Sequence, residues 1–184
     1  MNKKNVLIIV DMQNDFVTGS LGTRDAKKII PNVKNKIDKY MNDKDGIIIF
    51  TRDTHSRRNY LDTQEGKKLP IEHCIYGTKG WEIVPELDVK YKTGKVFVFD
   101  KSSFGFDSWK SELDYHLLNS RNINKIDICG VCTDICVVSN ALILKAIFRD
   151  IEITVDASCC AGSSVDAHFA ALQVMENCQV NIVG

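Results

Sequence analysis

Lys125-Ile-Asp-Ile-Cys-Gly-Val-Cys-Thr-Asp-Ile-Cys136 is the stretch that decides the fold, and an apolar run over residues 137–148 follows it. Residues 126–130 have the length and apolar character of a short buried strand. Gly130 and the pair Thr133-Asp134 then break the extended pattern, and apolar residues return at helical spacing from residue 137. This stretch therefore predicts a strand, a tight turn and a helix in direct succession.

Cys136 falls in the first turn of this helix if Thr133 or Asp134 is the N-cap residue. Unpaired backbone N–H groups and the positive end of the helix dipole favour a thiolate over a thiol at that position. A structural role fits the residue equally well, because cysteine is among the most buried residue types and the chain holds seven. Cys136 is thus a candidate nucleophile whose role depends on its neighbours.

Length and charge restrict the class of protein. The 184 residues suit a single domain over 1–184 with a core that needs no disulfide. The 24 basic and 24 acidic residues cancel without a long block of one sign, so we expect no nucleic-acid partner. The sequence shows no signal-peptide pattern and no apolar run of about 18 residues. We therefore expect a cytoplasmic protein with reduced cysteines and no membrane partner.

Strand patterns alternate with helical patterns along the whole chain. Predicted strands cover residues 5–10, 46–51, 95–99, 126–130, 152–156 and 180–183. Predicted helices cover residues 25–42, 107–119, the segment after Cys136, and 164–176. Residues 56–80 hold no period and form a long loop of the kind that is usually functional. The alternation predicts an α/β fold with three layers, α/β/α, around a mostly parallel sheet of about six strands.

Two of the predicted helices carry more detailed expectations. Pro31 should lie in the first turn of helix 25–42 or kink it. In helix 164–176, Phe169, Leu172 and Met175 should mark the buried face.

Side chains that can do chemistry lie at or just past the carboxyl ends of several predicted strands: Asp11, Asp53, Lys101 and Cys136. In parallel sheets, ligands bind beyond those strand ends, so the four residues can face one crevice. Asp11 is the better candidate base for the thiol, because we expect His116 on a helix surface and His168 in packing. Burial beside a thiol would raise the pKa of Asp11, and Lys101 would lower it again.

Asp53 and His55 form a second candidate cluster. They lie two residues apart in an extended segment, so their side chains point the same way, and His73 in the long loop can close on them. One carboxylate and two imidazoles suit zinc, iron or manganese with open positions for water or ligand. Such pairs also occur by chance, so the spacing alone is a weak signal.

Taken together, the chain resembles the isochorismatase-like cysteine hydrolases and, within them, the nicotinamidases and pyrazinamidases. The resemblance covers nearly the whole chain and rests on five segments in the order of the family. These are Val-Asp-Met-Gln-Asn-Asp-Phe at 10–16, Thr-Arg-Asp-Thr-His at 51–55, Glu-His-Cys-Ile-Tyr-Gly-Thr at 72–78, Asp100-Lys101, and Gly-Val-Cys-Thr-Asp-Ile-Cys at 130–136. The last segment is the most specific.

The resemblance implies an Asp-Lys-Cys triad at Asp11, Lys101 and Cys136. It also implies a cis peptide bond between Val131 and Cys132, and an oxyanion hole made by the backbone amides of Cys132 and Cys136. The implied reaction converts nicotinamide, a small amide, to nicotinate and ammonia through a cysteine thioester.

The resemblance further implies one divalent metal ion, zinc or else iron or manganese, held by Asp53, His55 and His73 near the ring nitrogen of the substrate. Family members are commonly dimers or larger, so it implies a homo-oligomer.

The chain also departs from the nicotinamidase pattern. Phe16 is present and should line the substrate pocket with Phe104, but Leu69-Pro70 stands where a tryptophan often falls. Phe104-Gly105 replaces the usual tyrosine and serine. Asp62, Glu65 or water could complete the metal site. Three functions stay open: a nicotinamidase, another amidase or ureidohydrolase of the superfamily, and a catalytically silent binding protein.

Overall fold

A computed structural model describes residues 3–89, 94–117 and 120–184 of the chain. Six strands form one sheet in the order β3-β2-β1-β4-β5-β6, and every neighbouring pair is parallel. The strands are β1 (Lys4–Val10), β2 (Gly46–Asp53), β3 (Val96–Lys101), β4 (Ile123–Val131), β5 (Glu152–Ala161) and β6 (Asn181–Val183). The predicted α/β class with a parallel sheet of about six strands is confirmed.

Helices occupy most of the connections between strands. The α-helices of the described residues are α1 (Asn14–Val17), α2 (Arg24–Lys28), α3 (Ile30–Asn42), α4 (Gln64–Lys68), α5 (Trp109–His116), α6 (Val138–Ile147) and α7 (Val165–Asn177). Short 3₁₀ helices lie at Tyr60–Asp62, Lys79–Trp81, Pro85–Leu87 and Ser120–Asn122, and a π-helical turn spans Thr133–Val137. None of the described helices is long and apolar enough to cross a membrane.

The central strand β1 explains why the sheet forms. It lies between β2 and β4, and its residues from Val6 to Val10 are completely buried. An apolar run without polar interruption suits a strand that is covered on both faces. The strand ends at Val10 and Asp11 follows it, which places a carboxylate at the middle of the carboxyl edge of the sheet.

Three details of the helices differ from the sequence-based expectations. The helix expected over 25–42 is two helices that meet at Ile29, with Pro31 in the first turn of α3, where a missing N–H costs nothing. The helix expected over 107–119 is observed as α5, and residues 118 and 119 lie outside the described part of the chain. The long loop over 56–80 contains α4 and two 3₁₀ turns.

The buried face of α7 was predicted correctly at Leu172 and Met175 and wrongly at Phe169. The side chain of Phe169 is 63% exposed, whereas Leu172 and Met175 are buried. The buried stripe runs through Ala171, Leu172 and Met175, and Phe169 points away from it because each helical residue rotates by about 100°.

Candidate active site

The structure brings Asp11, Lys101 and Cys136 into contact at the carboxyl edge of the sheet. Asp11 follows β1, Lys101 ends β3, and Cys136 lies in the π turn after β4. The Nζ atom of Lys101 lies 2.6 Å from Oδ2 of Asp11 and 3.7 Å from Sγ of Cys136. All three side chains are buried, so the cation joins the carboxylate and the thiol in a space largely closed to solvent.

Neighbouring groups fix the positions of the carboxylate and the ammonium. The hydroxyl of Thr51 donates to Oδ1 of Asp11 at 2.7 Å. Asp11 has a φ of +50°, a left-handed conformation that is uncommon outside glycine and is tolerated best by asparagine and aspartate. The Nζ atom of Lys101 also donates to the carbonyl oxygen of Ser103 at 3.0 Å. Hydrogen bonds therefore hold both the Asp11 carboxylate and the Lys101 ammonium in place.

The charges of the three groups follow from their burial. Burial raises the pKa of Asp11, and Lys101 opposes this effect. Burial and then the Asp11 carboxylate raise the pKa of Cys136 well above its usual range, again opposed by Lys101. Burial alone would lower the pKa of Lys101, but Asp11, Cys136 and Asp53 outweigh it and raise that pKa. Burial thus favours the thiol form of Cys136, whereas a position in the first turn of a helix alone predicts a thiolate.

The turn that carries Cys136 differs from the expected α-helical N-terminus. Cys132, in an extended conformation, takes the N-cap position, for which the sequence offers Thr133 and Asp134 as candidates. Its carbonyl oxygen accepts hydrogen bonds from the N–H groups of Ile135 and Val137, which makes the turn a wide π turn. The peptide bond between Val131 and Cys132 is cis. Thr133 and Asp134 cannot cap the turn because their side chains bond to His168 and Ser163 instead.

Asn140 is a buried residue at this site that the sequence-based reasoning missed. Its Nδ2 atom donates to the carbonyl oxygens of Cys136, at 2.8 Å, and Phe104, at 3.1 Å. Its Oδ1 atom accepts from the N–H of Phe106 and from the indole of Trp109. The available signal in the sequence was an amide side chain one helical turn after Cys136, on the same helix face. Asn140 therefore ties the π turn that carries Cys136 to the loop that follows Lys101.

Asp53, His55, Glu65 and His73 form a compact cluster of potential metal ligands. One donor atom from each residue lies within 4.8 Å of the others. Oδ2 of Asp53 is 2.8 Å from Nε2 of His55 and 3.4 Å from Nε2 of His73. Oε1 of Glu65 is 3.5 Å from Nε2 of His73. Glu65, on α4, is thus the fourth potential ligand of the cluster, and Asp62 is not part of it.

The carboxylates of this cluster stabilise positive charge. Burial opposes ionisation of Asp53, but hydrogen bonds from His55 and His73 outweigh it and lower the pKa of the carboxyl. Burial likewise opposes protonation of His73, and hydrogen bonds to Asp53 and Glu65 raise its pKa to about 10. Nδ1 of His73 contacts the carbonyl oxygen of Ile71 at 2.9 Å, which directs Nε2 toward the carboxylates. Two carboxylates and two imidazoles at this spacing fit a divalent metal ion.

Gln13 connects the two clusters and was also missed. Its buried amide accepts from the N–H of Asp53 at 2.7 Å and donates to the carbonyl oxygen of the same residue at 2.9 Å. It also donates to the carbonyl oxygen of Trp81 at 2.8 Å. Gln13 therefore holds the backbone of Asp53 from the segment that follows Asp11.

A cavity of about 300 Å³ joins the triad to the metal-donor cluster. Cys136 lies on its wall together with Asp53, Glu65 and His73. Its other walls are mainly apolar and include Phe16, Leu21, Leu69, Phe104 and Ile135. Leu69 thus faces the cavity, at the place where nicotinamidases often have a tryptophan, and Phe104 is 47% exposed at its edge. Such a space can hold a small, flat ligand between a thiol and a metal site.

The family model for the isochorismatase domain matches residues 5–184. The chain belongs to the isochorismatase family. Within it, the nicotinamidase/pyrazinamidase of Mycobacterium tuberculosis is 29% identical over an alignment of 193 positions, which covers 96% of this chain and 97% of that protein.

Two solved structures in the family extend the comparison. The pyrazinamidase of Pyrococcus horikoshii in complex with zinc has a TM-score of 0.80, with 28% identity and 98% of both chains covered. The pyrazinamidase/nicotinamidase of Streptococcus mutans has a TM-score of 0.82, with 27% identity, and covers 98% of this chain and all of that chain (100%).

Proposed function

We propose that this protein hydrolyses nicotinamide to nicotinate and ammonia, with Cys136 as the nucleophile. The main support is the contact of Asp11, Lys101 and Cys136 on a cavity that the cluster of Asp53, His55, Glu65 and His73 also borders. The relatives named nicotinamidase or pyrazinamidase support the choice of amide. The intact triad argues against a silent binding protein.

The first half of the reaction forms a thioester and releases ammonia. The Asp11 carboxylate takes the proton from the thiol of Cys136, and Sγ attacks the carboxamide carbon. As the tetrahedral intermediate collapses, the C–N bond breaks and Asp11 returns the proton to the leaving nitrogen. Lys101 keeps its charge throughout, which stabilises both the carboxylate and the developing thiolate.

The second half of the reaction restores the enzyme. Asp11 takes a proton from water, the hydroxide attacks the thioester carbon, and the C–S bond breaks to release the acid while Asp11 returns the proton to Sγ of Cys136. In both halves the backbone amides of Cys132 and Cys136 would hold the oxyanion. Each donor of this kind typically contributes about 3 kcal/mol to transition-state stability.

Asp53, His55, Glu65 and His73 would hold one divalent metal ion, and zinc is our first choice because a related pyrazinamidase contains it. Iron or manganese would suit the same donors. When bound, the ion supplies a Lewis acid that can attract the ring nitrogen of a pyridine. These four residues would therefore determine substrate orientation, and Asp11 and Cys136 would perform the bond-breaking steps.

A different small amide or ureido compound is the second candidate substrate. The observation that favours it is Leu69 on the cavity wall, because an aliphatic side chain offers no face on which a pyridine ring can stack. Phe16 and Phe104 line the same cavity and would have to provide the aromatic contacts for nicotinamide.

Ammonia release from nicotinamide by the purified protein tests the proposal directly. We expect release by the protein as isolated, its loss after chelation, and its recovery when zinc is added back. Cys136→Ala should release none, whereas Cys178→Ala, which removes an exposed cysteine, should match the wild type. If the folded, metal-loaded protein released no ammonia, nicotinamide would be excluded and the second candidate would be screened with small amides and ureido compounds.

A further inference from the structure

His168 on α7 contacts the π turn Thr133–Val137, which carries Cys136, at a point that the proposed reaction does not use. Its Nδ1 atom lies 2.8 Å from the hydroxyl of Thr133, the first residue of the π turn. The side chain of Thr133 is completely buried. Burial lowers the pKa of His168, against the opposing effects of Asp134 and Asp25, so the ring is neutral at neutral pH. A neutral ring protonated on Nε2 can accept the hydroxyl hydrogen bond at Nδ1.

A second contact ties the same turn to the segment before α7. Oδ1 of Asp134 accepts from the N–H of Ser163 at 2.8 Å, and Oδ2 accepts from the hydroxyl of Ser163 at 2.5 Å. Gly162 permits this close approach, because a Cβ atom there would lie 2.8 Å from Cβ of His168 and 3.0 Å from Oδ1 of Asp134. Two successive residues of the turn are thus held from one side.

The position of Thr133 bears directly on Cys136. The carbonyl oxygen of Thr133 accepts the N–H of Val138, which closes the π turn around Cys136. A separate pair of hydrogen bonds from Nδ2 of Asn140 ties the carbonyl oxygen of Cys136 to that of Phe104. Movement of Thr133 would therefore change the distance between Sγ and the Lys101 ammonium, which is 3.7 Å.

We propose that His168 is a positioning residue for the nucleophile, and that it acts through the hydroxyl of Thr133. The inference rests on the proposed role of Cys136. His168 does not touch the reacting atoms. It fixes the turn from which Sγ must reach both the Asp11 carboxylate and the substrate carbon, and small misplacements of reacting groups cost up to about a hundredfold in rate.

A double-mutant cycle tests whether the two side chains act together. His168→Leu removes the ring and Thr133→Val removes the hydroxyl while keeping a similar shape. We expect each change to lower kcat for nicotinamide by about tenfold or more, with little change in KM, and the double variant to lose no more than the worse single variant. His168→Asn keeps an acceptor near the place of Nδ1 and should recover most of the lost rate. Val174→Ala, at an exposed site on α7, is the matched control.

Hydrogen exchange of the same variants gives a readout that needs no substrate. In His168→Leu and Thr133→Val we expect amides of a peptide over residues 132–142 to exchange about two- to tenfold faster, with peptides of β1 unchanged. His168→Asn and Val174→Ala should exchange like the wild type. Exchange in the turn that is equal in all variants, or losses of kcat that simply add in the double variant, would overturn the inference. If the wild type did not hydrolyse nicotinamide, the proposed function would fail, and the exchange rates of the turn amides alone would decide this inference.

Discussion

The basicity of Asp11 depends on a few neighbours whose effects have opposite signs. Burial disfavours the carboxylate, whereas Lys101 and the Thr51 hydroxyl favour it. The balance leaves the pKa of Asp11 above its usual value, closer to the working range of a general base than an exposed carboxylate. In the proposed reaction protonated Asp11 cannot take the proton from Cys136, so we expect activity to fall as the pH falls through this pKa.

Thr51→Val should strengthen this effect. The hydroxyl donates to Oδ1 of Asp11 at 2.7 Å and stabilises the charged form, so its removal raises the pKa of Asp11 further. We expect the acid limb of the profile of kcat/KM against pH to move to higher pH. Divided by its value at about pH 8, kcat/KM at about pH 5 should be roughly three- to tenfold lower than in the wild type. Thr18→Val, at an exposed site, should leave the profile unchanged. A shift to lower pH would contradict the role of this hydroxyl.

At the scale of elements, Gly130 determines how closely β1 and β4 approach beneath the active site. It has a φ of +121°, and a Cβ atom there would lie 2.1 Å from the carbonyl oxygen of Val10. The register between β4 and β5 also shifts at this point. Since Asp11 follows Val10, and the cis peptide bond follows Gly130 by one residue, an altered strand spacing would displace both Asp11 and the turn that carries Cys136.

Gly130→Ala should therefore be far more damaging than a similar change elsewhere. Gly77 also has a positive φ, of +76°, but a Cβ atom there meets nothing within 4 Å, which makes Gly77→Ala the matched control. We expect Gly77→Ala to cost about 1 kcal/mol of unfolding free energy from backbone strain alone. Gly130→Ala should cost at least about 3 kcal/mol or prevent folding. Equal midpoints of urea denaturation for the two variants would contradict the argument.

The elements also show what the sequence can and cannot predict. The strands and the polar residues at their ends were predictable, because alternation fixes the parallel sheet and the sheet gathers Asp11, Lys101 and Cys136 at one edge. The π turn was not predictable, because Thr133 and Asp134 have the composition of N-caps and are diverted by partners about 30 residues away in sequence. Local preference gives no information about such long-range bonds.

At the scale of the whole molecule, the metal-donor cluster is assembled from segments that are far apart in sequence, and backbone hydrogen bonds of His55 with Cys74 and Tyr76 also join them. Asp53 ends β2, His55 follows it, Glu65 lies on the short helix α4 and His73 lies in an irregular segment. The sequence could not distinguish Glu65 from Asp62, because only the folded position of α4 and of the 3₁₀ turn before it decides which carboxylate lies beside the histidines. A bound ion would therefore hold the segment over 56–80 against the sheet as well as orient a substrate.

Removal of the metal should accordingly loosen this segment and leave the sheet folded. At a free metal concentration 100 times its dissociation constant, binding opposes local opening by about 2.7 kcal/mol, which is roughly a hundredfold. We expect chelation to accelerate tryptic cleavage at the exposed sites Arg57, Arg58, Lys67 and Lys68 by up to that factor. Cleavage in α2, at Lys27 and Lys28, should be unchanged and serves as the internal control.

Glu65→Gln distinguishes a metal effect from a general effect of the chelator. The amide keeps the size of the side chain but is a poorer ligand for a divalent ion, so this variant should need more zinc for the same protection. Without metal, its cleavage rate should match that of the wild type under chelation, because no ion then holds the segment in either protein. If chelation left cleavage of the wild type unchanged, the cluster would hold the segment through its own hydrogen bonds, and the ion would have no part in the stability of the fold.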